Sequence, residues 1–229
     1  MNRDRIRKLL SKTPVLWRFK DNFSPKFPGS PSYWNSRYQA GCNSGVGSYG
    51  HLAQFKADVL NGFVADCGAK TVLEFGCGDG AQAALARYPA YIGLDVSPTA
   101  IKLCLARFLE DRSKSFFLYA GDCFIDHQKL FSADLVLSLD VIYHLIEDEI
   151  FERYMRNMFE AARRFVIIYS SNHDEVISNT HVRHRKFSDY AAKHFSDFSL
   201  IDRINQRYPM ATHGDQGSFA DFYIYEKKS

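Results

Sequence analysis

Apolar positions along this chain recur with two different periods. From 48 to 64, Leu52, Phe55, Val59, Leu60 and Phe63 return at three- and four-residue spacing and predict a helix. After Gly68 the pattern alternates between strand and helix. Residues 71–76 and 91–96 read as strands, with a helix over 81–88 between them. Next comes a helix that Ser97 caps and Pro98 opens, with Ile101, Cys104, Leu105, Phe108 and Leu109 as its apolar stripe. Residues 115–120 predict a third strand. The nearly unbroken apolar run 133–139 predicts a fourth, buried on both faces.

Glu147, Asp148 and Glu149 put negative charge at the start of a helix carrying Phe151, Met155, Met158, Phe159 and Ala162. A fifth strand over 164–169, a short helix over 188–195 and two last strands over 199–204 and 219–225 complete the pattern. Strands alternating with helices predict an α/β fold, a mostly parallel sheet covered by helices on both faces. No internal repeat or low-complexity tract interrupts it.

Composition narrows the function classes. The 229 residues carry 29 basic and 26 acidic side chains, a net +3, which argues against nucleic-acid binding through bulk charge. A hydrophobic content of 46% is too high for a disordered chain, and no apolar run approaches the ~20 residues of a membrane span. The five cysteines lack any C-x-x-C pair, so they read as reduced thiols of a cytoplasmic protein rather than a zinc ribbon or disulfide scaffold.

Residues 1–47 read as a basic arm and lid ahead of the main domain, 48–229. Arg3, Arg5, Arg7, Lys8 and Lys12 precede no apolar core of the kind a secretory signal needs. Ile6, Leu9 and Leu10 share a helical face, which suits weak membrane-surface contact or, more simply, packing on the protein's own body. Pro25, Pro28 and Pro31 exclude a regular helix through that stretch.

The chemistry concentrates where the strands end. Gly76, Cys77, Gly78 and Gly80 form a turn in which the backbone can approach a ligand ahead of a helix N-terminus. Alone, Gly76, Gly78 and Ala81 fit only a loose dinucleotide pattern. The next strand ends in Asp95, where a carboxylate can accept both hydroxyls of an adenosine ribose. The third is followed by Gly121-Asp122-Cys123-Phe124. Glu74, Asp95 and Asp122 thus stand at the carboxyl ends of three successive strands, where open α/β sheets bind ligands.

These pieces, with 133–140 and His144, resemble the class I S-adenosylmethionine-dependent methyltransferases from about residue 48 onward. The resemblance implies a Rossmann-like seven-stranded sheet ending in an antiparallel hairpin, and S-adenosyl-L-methionine as cofactor. It places the methionine part at Glu74 and Gly76–Gly80, the ribose at Asp95 with Val96, and the adenine at Asp122 with Cys123 or Phe124; Leu139 lines the same site. The segments 33–41 and 43–50 are similar to the N-terminal region of a bacterial subgroup associated with surface-polysaccharide and other glycan modification. There Trp34, Tyr38 or Tyr49 can face the sulfonium and Arg37 the methionine carboxylate; core packing is an equal alternative for each aromatic.

The acceptor should then meet the methyl group beyond the fourth and fifth strands. His144 has the right titration range for a general base toward a hydroxyl, and the rival reading is that it only holds its loop in place. Asp140 assists it or caps the turn. Tyr143 and the basic run His181, Arg183, His184 would contact a small polar acceptor, neutral or anionic, such as a sugar, nucleotide sugar or phosphorylated metabolite. A solvated basic loop is the plainer alternative. His181 and His184 lack a matching acidic or thiol pair in sequence, so no metal site is expected. Two rivals to the methyltransferase remain: an NAD(P)-dependent oxidoreductase, whose glycine turn would look similar, and a non-catalytic scaffold on the same fold.

Overall fold

The computed structural model describes residues 27–177 and 181–228; the expected features of the basic arm at 1–26 lie outside them. Helix α1 spans Ser30–Gln39 and α2 Gly50–Cys67. Strands β1 (Val72–Phe75) and β2 (Tyr91–Asp95) precede α3 (Pro98–Arg107), and β3 (Lys114–Leu118) and β4 (Ala133–Leu139) precede α4 (Asp148–Ala161). Then follow β5 (Ala162–Ser170), a small antiparallel pair β6 (Glu175–Val176) and β7 (Arg183–His184), α5 (Phe187–His194), β8 (Phe198–Ile204), α6 (Met210–His213) and β9 (Asp221–Lys227).

The main sheet has seven strands in the order β3-β2-β1-β4-β5-β9-β8. Its first five are parallel, and β9 runs antiparallel to both β5 and β8. This is the expected Rossmann-like sheet with its closing hairpin. Alternation along the strands divides the core in two. Leu73, Phe75, Val136 and Ile168 pack with Phe151, Met155, Met158 and Phe159 of α4. Val72, Leu135, Leu137 and Ile167 pack with Phe55, Leu60 and Val64 of α2 and Cys104 of α3. A strand buried on both faces needs the unbroken apolar run found in β4.

Local physics decides where expectation and structure part. The helix expected over 81–88 shrinks to one 3₁₀ turn, Ala83–Leu85. Asn61 is the reason: its amide donates to the Leu85 carbonyl at 2.9 Å and accepts the Arg87 N–H at 2.8 Å, taking the groups a longer helix would pair. Prolines were expected to exclude a helix up to Pro31, yet α1 begins at Ser30, because Pro31 sits in the first turn where no N–H is needed. The α3 cap forms as expected, with Ser97 Oγ accepting the Ala100 N–H at 3.2 Å. Ile101 and Cys104 are buried, but Leu105 and Leu109 face solvent.

Candidate functional site

Strand β1 delivers the chain into the glycine turn, where Gly76 and Cys77 both donate to the Leu94 carbonyl, at 2.7 and 3.0 Å. Gly78 has φ +57, and a Cβ there would strike Ser44 Oγ and the Tyr38 hydroxyl. Only glycine lets the turn take this conformation beneath those two side chains. The Gly78 N–H then reaches Asp95 Oδ2 at 2.9 Å, and Ser97 N–H reaches Oδ1 at 2.8 Å. One buried carboxylate thus joins the turn to the end of β2.

These groups border a cavity of about 520 Å³ at the carboxyl ends of β1, β2 and β4. Its floor includes Glu74, Gly76, Cys77, Gly78, Asp95, Val96 and Leu139; Asp122, Asp140 and His144 stand at its sides. Three carboxylates near the turn are strongly conditioned by their surroundings. Burial pushes Glu74 up to about 7, with the Tyr91 hydroxyl bonded at 2.6 Å resisting. Burial likewise pushes Asp95 up to about 6. Burial would also raise Asp79, but hydrogen bonds from Tyr49, Ala81 and Ser44 prevail and hold it below the usual carboxylate range.

Helix α1 forms the roof. Ser30, Pro31, Trp34 and Tyr38 line the cavity from above, and separate latches hold the helix down. The Ser30 N–H and Oγ meet the Glu147 carboxylate at 3.1 and 2.7 Å. Ser97 Oγ donates to Asn35 Oδ1 at 3.0 Å, and the Tyr38 hydroxyl pairs with Ser44 Oγ at 2.9 Å. Residues 43–49 are in turn tied to the glycine turn through Asp79.

His144 stands against the roof, edge-on to Trp34 with ring centroids 4.8 Å apart and stacked on His181 at 5.1 Å. Its Nδ1 lies 2.9 Å from the His181 carbonyl. A carbonyl only accepts, so Nδ1 carries the proton and Nε2 keeps its lone pair. Burial lowers the His144 pKa to about 4, leaving the imidazole neutral near pH 7.

Asp140, in the left-handed region at φ +60, directs Oδ2 to Lys56 at 2.5 Å and accepts the Tyr143 hydroxyl on Oδ1 at 2.9 Å. Lys56 is 1% exposed, so this is a buried ion pair at the cavity wall. Lys56 was not singled out in the sequence, although it lies in line with Leu52 and Leu60 on a helix face that is otherwise apolar.

The other expected site residues lie outside the cavity wall. Gly80 packs behind the turn against Phe108 and Cys104. Cys123 is exposed, and Phe124 joins Phe75, Tyr119 and Phe131 in the core. Arg37 donates to the Asn43 carbonyl at 2.8 Å. Tyr143 is buried beneath the wall, where its hydroxyl bonds Asp140 and its ring packs on His144 with centroids 4.4 Å apart. In the basic run, Arg183 and Arg185 both pair with Asp148 and donate to the Ile146 carbonyl, while His184 is buried on Ser171.

Gln82, also missed in the sequence, lines the cavity with its amide N–H on the Ala53 carbonyl and its Oε1 buried without a partner. An unsatisfied buried acceptor is costly and marks where a donor from a ligand would fit.

The family model described as "Methyltransferase domain" matches residues 73–166, and no curated protein matches the chain in sequence. Among solved structures it is similar to magnesium protoporphyrin IX methyltransferase from Synechocystis PCC 6803 with bound S-adenosylhomocysteine. That match has 15% identity and a TM-score of 0.64, covering 86% of this chain and 98% of that one. It is also similar to the N-methyltransferase NodS from Bradyrhizobium japonicum WM9, at 15% identity and TM-score 0.59 over 78% and 88% of the chains. The methyltransferase domain of bacterial CtHen1 matches at 19% identity and TM-score 0.59 over 76% and 97%. Residues 73–166 of this chain thus match a methyltransferase-domain model, and the chain shares the fold of the class I S-adenosylmethionine-dependent methyltransferases.

Proposed function

We propose that the protein transfers a methyl group from S-adenosylmethionine to a hydroxyl of a small polar acceptor, with His144 as general base. What carries this reading is one cavity that joins the glycine turn and the acids of β1 and β2 to an imidazole whose tautomer is already set. The cavity fits the cofactor: its volume lies within the range for ligands of this size. Asp95 is an acceptor for ribose hydroxyls, and the orphaned Gln82 Oε1 awaits a donor such as the methionine ammonium.

When bound, S-adenosylmethionine supplies an electrophilic methyl on a cationic sulfur. Glu74, Asp95 and Asp140 line the cavity with acidic groups suited to a positively charged ligand, and α1 covers it from above. Trp34 and His144 border the acceptor side. His144 Nε2 is free to take the hydroxyl proton as the new bond forms, while the His181 carbonyl supports the ring through Nδ1.

Because Arg183 and Arg185 are committed to Asp148 and loop carbonyls, a neutral sugar-like hydroxyl fits better than a phosphate. Thermal unfolding with S-adenosylhomocysteine or NAD tests the cofactor, and a screen of sugars and nucleotide sugars with labelled S-adenosylmethionine tests the acceptor. Protection by S-adenosylhomocysteine alone and label on a hydroxyl are expected. Protection by NAD instead, or label only on nitrogen, would overturn the reading.

A further inference from the structure

The β6–β7 pair carries a group of side chains that takes no part in the cavity. Glu175 and His184 are direct cross-strand partners, and the His173 ring stacks on His184 with centroids 4.6 Å apart. One nitrogen or oxygen from each of the three residues lies within 4.8 Å of the others. His173 Nε2 and Glu175 Oε2 are 3.4 Å apart. Ligands held about 2.0–2.2 Å from a tetrahedral zinc ion lie about 3.3 Å from one another, so this edge already has the right length.

The surroundings favour an ion over a chance contact. His184 is buried, and its Nδ1 lies 2.7 Å from the buried Ser171 hydroxyl, which leaves Nε2 as the ligand atom. An outer hydrogen bond of this kind orients metal-binding histidines. The backbone beneath is braced: Asn172 and Ser188 exchange two hydrogen bonds, and Asp174 accepts the Lys186 N–H at 3.0 Å. His173 and Glu175 are exposed, so their side chains can swing in to close the remaining gap.

We infer that His173, Glu175 and His184 bind zinc, forming a clip across the β6–β7 pair with a fourth position left to water. Two imidazoles and one carboxylate with an open position are a recognised zinc donor set. The site was not legible in sequence because His184 finds its partners across the strand pair rather than at His181. The clip would hold β7 in place, and with it the Arg183 contacts that anchor Asp148 at the start of α4. This inference does not depend on the cofactor reading.

The test is calorimetric titration of the chelator-stripped protein with Zn²⁺ alone, followed by thermal unfolding. One saturable equivalent per chain is expected, with Tm raised about 5–10 °C at a zinc concentration 100-fold above Kd. The double variant His173→Asn, Glu175→Gln should keep the unfolding temperature of the stripped protein yet lose at least about 100-fold in affinity. Ser171→Ala should lose about tenfold. Mg²⁺, which prefers oxygen ligands, should give no shift. Absence of saturable zinc binding, equal affinity in the double variant, or an equal response to Mg²⁺ would each overturn the inference.

Discussion

The floor of the cavity and its roof are built on different principles. The floor is local: the glycine turn, Glu74 and Asp95 come from two adjacent strands and are joined by short backbone hydrogen bonds. The roof is assembled from afar: α1 is latched to Glu147 near the start of α4 and to Ser97 at the cap of α3, and Trp34 meets His144. A floor of this kind holds one cofactor with little freedom. A roof held by a few polar contacts and ring edges can change its acceptor without disturbing the sheet.

If that division holds, variants in the two regions should separate binding from turnover. His144→Ala should lower kcat by about 10²–10⁴-fold with cofactor affinity nearly unchanged. Isothermal titration beside steady-state kinetics checks this, and undiminished kcat would return His144 to a structural role.

Lys56→Met strips the half-buried Asp140 of its counter-charge and should cost about 2–3 kcal/mol of folding stability, read by urea denaturation. Asp95→Ala should weaken S-adenosylhomocysteine binding by about 100-fold, the loss of two charge-assisted hydrogen bonds, while leaving kcat at saturation within a few-fold. A fall in kcat as large as the fall in affinity would erase the distinction between floor and roof.

The pH dependence sharpens the comparison further. Asp95, raised to about 6, must be ionised to accept from two hydroxyls. Cofactor affinity should therefore fall about tenfold per unit as pH drops below about 6. His144, lowered to about 4, stays neutral over that range, so turnover at saturating cofactor should hardly change.

Stability follows linkage with opposite signs. Glu74 and Asp95 bind protons in the folded state that the unfolded chain releases at lower pH, so their contribution is lost as pH rises toward about 7. The depressed His144 contributes stability that is lost as pH falls below its unfolded value of about 6.5 toward 4. Denaturation at several pH values separates the two when repeated on His144→Phe. The smallest effect is expected at the latch: Ser30→Ala should cost about 1 kcal/mol and raise the off-rate of bound S-adenosylhomocysteine severalfold.

How much was readable in the sequence follows the same line. The succession of strands along the chain and the placing of Glu74, Asp95 and Asp140 at the ends of β1, β2 and β4 were legible because each of those strands is a short apolar run that leads into an acid, and the helix cap at Ser97 is a local signal. The 81–88 helix was misjudged because Asn61, distant in sequence, captures its backbone groups. The basic run looked like an anion site because nothing in its neighbourhood reveals that Asp148 and two loop carbonyls already engage Arg183 and Arg185. Lys56 and Gln82 needed the third dimension. Each is an ordinary polar residue on a helix or turn until Asp140 or an empty hydrogen-bonding direction stands beside it.

The latching of α1 also bears on time. Tyr38 and Ser44 lie directly on Gly78, so α1 and the segment after it cover the glycine turn on the cavity side. If product leaves past α1, the lifting that releases it is the same opening that lets deuterium reach Gly78. The frequency of that lifting would then set a ceiling on turnover in the proposed reaction, however fast the methyl group moves.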